Sequence, residues 1–128
     1  MSHITADLLV VSSRDYQGLL VITEKYNTPA AGALDQELSR AEVVNTADFP
    51  CDVVAMNSSV TFIDLDSGER TTVILVYPQE ADVDKMKISI LTPVGTALIG
   101  LRVGGKIDWP LHSGKIRRLQ VVAVIQPE

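Results

Sequence analysis

The hydrophobic period of this chain changes once, near residue 50, and that change limits the fold more than any other feature. Before Asn45 the apolar residues recur at helical spacing, and after Pro50 they alternate. Ser12 is placed to cap a helix, with Asp15 three residues on in the capping-box position. Tyr16, Leu19, Leu20 and Thr23 then share one face as far as Lys25, and Gly18 weakens the pattern. Asn27-Thr28-Pro29 reads as a turn and a new start, with Thr28 as cap and Pro29 at the first helical position. Ala30, Leu34, Leu38, Ala41 and Val44 form a second stripe. Helices joined by so short a loop must be antiparallel neighbours. Residues 12–44 therefore read as a short helical hairpin, preceded by an extended piece over 5–11 and followed by a linker over 45–50.

The second part reads as strands. Asp52 to Met56 and Val60 to Leu65 are expected strands around an Asn57-Ser58 break. Asp66-Ser67-Gly68-Glu69 is a hairpin loop, with Gly68 suited to the left-handed position. Arg70 to Tyr77 and Lys87 to Leu91 follow as strands, with an acidic loop or short helical turn over 79–86 between them. Pro93 starts a short helix carrying Ala97, Leu98 and Leu101 at helical spacing. Gly104-Gly105 then fits a turn needing positive φ. Lys106 to Trp109 and Arg117 to Ile125, separated by a His112-Ser113-Gly114 turn, complete the sheet. The expectation is an α+β fold in two parts: 1–46, an extended segment and hairpin, and 47–128, an antiparallel sheet with one short helix.

Composition narrows the function classes. Hydrophobic residues make up 46% of the 128, enough for a packed core. No run approaches the roughly 18 apolar residues that span a bilayer, and Leu8 to Val11 is too short for a signal peptide. A lone Cys51 fits a reducing cytoplasm. The net charge of −5 argues against a grip on nucleic acid through phosphate neutralisation. The charge is uneven: residues 88–128 carry five basic and two acidic side chains, a surface suited to an acidic protein partner.

Little here points to catalysis. His3, His112 and Cys51 have no metal-ligand spacing among them. Glu80, Asp82 and Asp84 read as a solvated loop rather than a cation site. Gly104-Gly105-Lys106 lacks the P-loop spacing. No G-x-S-x-G elbow occurs. Phe62 and Trp109 fall on strands and read as core, and Arg117-Arg118 as a solvated strand start.

Thr92 to Gly105, TPVGTALIGLRVGG, resembles the C-terminal domain of the Gre family of bacterial transcript-cleavage factors. There an S/T-P-x-x-x-A-L-(I/L)-G stretch leads into V-G-D and a strand, and residues 51–126 as a whole resemble that FKBP-like domain. The full layout resembles a narrower family, the regulators of nucleoside diphosphate kinase. DVVAMNSSVTFIDLDSGE (Asp52 to Glu69), LVYP (Leu75 to Pro78) and TPVGTALIGLRVGGKIDW (Thr92 to Trp109) carry this likeness. PAAGALDQELSRAE (Pro29 to Glu42) resembles the second helix of that family's hairpin.

The resemblance implies a protein that binds RNA polymerase near its secondary channel through the globular part. The Gre docking run, typically Asp-Ser-Pro, corresponds to Leu91-Thr92-Pro93, with Val94 beside it; Leu91 replaces the acidic residue. Gly105 stands where V-G-D has its aspartate, and is expected to alter only a turn. Gre factors insert a long coiled coil whose tip carries two acidic residues that help hold a catalytic magnesium. Here the helices reach only on the order of 20 Å. The tip is Glu24-Lys25-Tyr26-Asn27-Thr28-Pro29, with one carboxylate beside a lysine. The expected action is therefore occupancy: a non-enzymatic regulator that competes with Gre-type factors and does not stimulate cleavage. Any effect on nucleoside diphosphate kinase would be indirect. No metal, cofactor, small-molecule substrate, membrane or direct nucleic-acid partner is expected. The alternative implied by an FKBP-like fold is a peptidyl-prolyl isomerase or another interaction module. An isomerase pocket needs an aromatic-lined cup, and Phe62, Tyr77 and Trp109 are the candidates for it.

Overall fold

The computed structural model describes residues 9–110 and 113–127. Residues 5–8 of the expected extended piece lie outside these, as do His3 and His112.

The chain opens with β1 (Val10–Ser12), α1 (Ser13–Lys25), α2 (Pro29–Ser39) and β2 (Glu42–Val44). Both helix starts follow the caps in the sequence. Ser12 Oγ accepts from Asp15 N–H at 3.1 Å, and Thr28 Oγ1 accepts from Ala31 N–H at 3.1 Å. The second stripe stops earlier than its spacing suggested. Ala41 and Val44 are not on α2; residues 42–44 form a strand that pairs in parallel with β1, Val11 opposite Val43. Parallel neighbours need a crossover between them, and the helical hairpin supplies it. The buried faces keep Leu19, Leu34 and Leu38 of the expected stripes and differ in their other members. Asp15, Leu19 and Ile22 are buried on α1, while Tyr16, Leu20 and Thr23 are half-buried. Ala31, Leu34 and Leu38 are buried on α2.

The second part is a five-stranded sheet in the order β5-β4-β3-β7-β6. Its strands are β3 (Ser59–Asp64), β4 (Arg70–Val76), β5 (Lys87–Ser89), β6 (Lys106–Pro110) and β7 (Ile116–Ile125). The sheet is mixed rather than wholly antiparallel, because β5 runs parallel to β4. Residues 52–56 do not form the expected strand. Val53 makes a single bridge to Arg102, and Val53 through Met56 are buried without a break. An apolar run buried on every side, as Val53 to Met56 is, reads like a strand in the sequence without being one. Gly68 and Gly104 take φ of +77° and +95°, as their turns require.

One hydrophobic cluster joins the two parts. Leu9, Val11, Leu19, Leu34 and Leu38 pack in the same core as Val54, Met56, Phe62, Leu75, Leu98 and Leu119. Each fully buried Leu contributes about 1.5–3 kcal/mol over an exposed one. Hairpin and sheet are thus held by a shared interior.

The helix α3 (Pro93–Leu98) seats on this core through Val94 and Leu98. Gly95 decides how closely. A Cβ there would overlap Ser89 O, which already accepts from Thr92 N–H at 3.1 Å and Thr92 Oγ1 at 2.8 Å. That obstacle is backbone and has nowhere to move. Gly95→Ala is expected to cost about 1–3 kcal/mol in overpacking, less up to about 1 kcal/mol of helix propensity. Its melting temperature should fall by several degrees; an unchanged or raised value would show that the approach does not constrain α3.

Candidate docking surface

The Leu91–Val94 run lies at the start of α3, and its four residues have different surroundings. Thr92 is the cap: its Oγ1 accepts from Gly95 N–H at 3.0 Å and donates to Ser89 O. Thr96 Oγ1 donates to Ile90 O at 2.7 Å, fixing the helix from its other side. Val94 is buried in the core and Leu91 packs half-buried against it. Pro93 is exposed. Of the four, Pro93 is the exposed residue, and the others hold it in place.

The hairpin tip is open. Glu24, Lys25, Asn27, Thr28 and Pro29 are exposed, and Tyr26 is half-buried. Lys25 makes no ion pair with Glu24 among the described residues, and its Nζ sits 5.6 Å from the Tyr26 ring centroid.

These two surfaces meet. Pro29, Ala30 and Ala33 of α2 line a groove of about 1140 Å³ together with Pro93, Thr96 and Ala97 of α3. The hairpin therefore lies beside the expected docking run rather than projecting away from it. The sequence held no local signal for this, because the walls lie some sixty residues apart.

A second arrangement missed by sequence reading fixes the hairpin. Asp15 is buried, and its Oδ2 accepts from Met56 N–H at 3.0 Å. The residue read as half of a capping box thus bonds to the second part of the chain. Burial pushes its carboxyl above the ordinary 3.8, while the Met56 N–H, Ser12 and Arg14 oppose that shift. Tyr77 packs over Gly18, where any Cβ would overlap its hydroxyl oxygen. The Tyr77 hydroxyl is pushed up to about 12 by burial and then by the charges of Asp15 and Glu80. Gly18, a weak helix residue in the sequence, is the seat of this ring.

None of the three candidate aromatic rings lines the groove between α2 and α3. Phe62 is core, Tyr77 covers Gly18, and Trp109 lies 5.5 Å from the Arg117 guanidinium. Arg117 Nε donates to Asp64 Oδ2 at 3.1 Å. The Asp64 carboxyl lies below its ordinary range because the Asp66 and Ser67 N–H groups, then Arg117, bond to its charged form. Arg117 is thus bound within the fold rather than a solvated strand start. Among the described residues no group of three or more His, Cys, Asp or Glu is placed to hold a metal ion, and no helix is long and apolar enough to cross a membrane.

Known proteins share this fold. The family described as "Transcription elongation factor, GreA/GreB, C-term" matches residues 49–126. The regulator of nucleoside diphosphate kinase of Escherichia coli strain K12 is 37% identical over 124 residues, 94% of this chain and 91% of that protein. Transcription elongation factor GreA of Rhodospirillum rubrum is 40% identical over 75 residues, 59% of this chain and 48% of that protein. Among solved structures, a prokaryotic transcription elongation factor GreA/GreB from Nitrosomonas europaea superposes with TM-score 0.83 and 42% identity, covering 92% of this chain and 98% of that one. The GreA factor homolog Gfh1 of Thermus thermophilus gives TM-score 0.52 and 27% identity, covering 92% and 99%.

The Asp15 bond has a pH signature. A raised pKa means that the native state binds more protons than the unfolded chain once pH exceeds 3.8. Stability from this group therefore falls as pH rises toward the raised value and stays lost above it. Asp15→Asn keeps an acceptor for Met56 N–H without the buried charge, so its stability relative to wild type should increase as pH rises from below 3.8 to about 7.5 in urea unfolding. Asp15→Ala leaves that N–H unpaired and should lose about 1–3 kcal/mol. An Asn variant that loses ground as pH rises would contradict this reading.

Proposed function

The chain belongs to the GreA/GreB transcription elongation factor family, and from that membership we propose that it regulates transcription by docking on RNA polymerase near the secondary channel. The carrying observation is Pro93, exposed at the capped start of α3 within the matched region. A proline held between a capping threonine and a buried valine is a preorganised contact, which lowers the entropy cost of binding. The partner surface is protein. A net charge of −5 argues against the phosphate contacts that drive nucleic-acid binding.

The protein competes with Gre-type factors for this site and does not stimulate transcript cleavage. Helices of 13 and 11 residues extend only about 16–20 Å. Their tip offers Glu24 as its one carboxylate, and a divalent cation needs more oxygen ligands than that. The protein is a regulator and not an enzyme. Its effect on nucleoside diphosphate kinase levels follows indirectly, through occupancy of the polymerase.

Pro93→Arg tests the docking run. Pro93 is exposed, so the variant should keep the wild-type circular dichroism spectrum. Its affinity for core RNA polymerase should fall by about tenfold or more, as for a residue central to an interface. Unchanged affinity in a folded variant would move the interface away from α3.

A further inference from the structure

The three helices pack on one face of the five-stranded sheet, where Leu19, Leu34 and Leu98 share a cluster with Phe62, Val73 and Val121. The opposite face has no helix over it among the described residues. On β3, Ser59, Thr61 and Ile63 alternate with the buried Val60, Phe62 and Asp64. The hydroxyls of Thr61 and Thr72 meet on this open side at 2.8 Å. Ile74, Ala123 and Ile125 border them outside the core cluster, and Ile125 is 69% exposed. An open antiparallel face is ordinarily polar. Here the outward residues of β3, and Leu65 just beyond them, carry no charge.

The charges stand at the margins of this face and balance. Arg70, Lys106 and Arg118 are set against Asp66, Glu69 and Asp108. Lys87 is bridged to Asp82 through the backbone. The face is therefore neutral in a chain of net charge −5. A second copy meets no net repulsion there, and meets it over the remaining surface.

The layout is also self-complementary. β3 is the middle strand, with β4 and β7 antiparallel to it on either side. Thr72 and Ala123 both lie opposite Thr61, and Ile74 and Ile125 both lie opposite Ser59. A two-fold axis along β3, between two facing copies, exchanges these flanks. Ile74 then lies over the partner's Ile125, and Thr72 over the partner's Ala123. Arg70 and Gln120, both opposite Ile63, bring a guanidinium to an amide. Arg118, whose carbonyl accepts from Leu65 N–H, meets the Asp66 to Glu69 turn. Reciprocal contacts of this kind make an isologous interface. Facing sheets pack about 10 Å apart with their strands within about 30°. Five strands at about 4.8 Å spacing, with rows about 20 Å long, bury about 1,000 Å² in total, the size of a transient contact.

We propose that the open face of the sheet is the contact of a transient symmetric dimer, with β3 lying on β3 across a two-fold axis. The hairpin and α3 are on the other face and stay free, so this inference does not depend on the docking reading.

Sedimentation of the full chain, from about 10 µM to about 1 mM, reads the association. The weight-average mass of the wild type should rise toward twice the monomer value. Ala123→Arg places a bulky charge on the exposed face and should stay monomeric with an unchanged melting curve. Cross-linking reads the symmetry, in a Cys51→Ser background and with a bis-maleimide of about 10 Å span. Thr61→Cys, on the axis, should link to itself. Thr72→Cys and Ala123→Cys should link several-fold more when mixed than either does alone. A wild type that is monomeric at 1 mM would overturn the dimer. Association that persists in Ala123→Arg would overturn the face, and Thr72→Cys and Ala123→Cys linking equally well alone would overturn the two-fold.

Discussion

The bond from Met56 N–H to the Asp15 carboxylate is the contact on which the remaining arrangement depends. It ties the first turn of α1 to the buried segment ahead of β3, in a place where water cannot substitute for either partner. A buried carboxylate is costly, and only its hydrogen bonds make the position tolerable. Tyr77 over Gly18 adds a steric register one turn further along α1. These contacts, with the Leu19, Leu34 and Leu38 side of the core, leave the hairpin little freedom to swing.

That rigidity brings two helices together. A hairpin held against the sheet places α2 beside α3, so small side chains from both helices form one groove. A freely pivoting arm would present two separate surfaces and would have to order itself on binding. In the proposed docking, the short reach of the helices and the single carboxylate at the tip suit a part that fills space. They do not suit one that delivers a metal ion to a distant centre.

The helix starts were legible in the sequence because caps are local: Ser12, Thr28-Pro29 and Thr92-Pro93 each act within three residues. The Asp66 to Glu69 turn was legible for the same reason, since Gly68 must take positive φ. Residues 42–44 were not, because Val44 continues a helical stripe by spacing and becomes a strand only through its pairing with β1, over thirty residues away. Residues 53–56 misled in another way. Total burial removes the alternation that distinguishes a strand from a packed loop. The resemblance to Gre factors marked the α3 run, but the groove depends on how the hairpin sits, which no local pattern encodes.

Competition for polymerase is the most direct measurement. Core RNA polymerase carrying a labelled Gre factor and a backtracked transcript would be titrated with this protein, following label release and transcript length together. Displacement of the label with no shortening of the transcript is expected. Transcript cleavage by the complex, or a Gre factor that stays bound while this protein binds elsewhere, would contradict a shared docking site occupied by a catalytically empty hairpin.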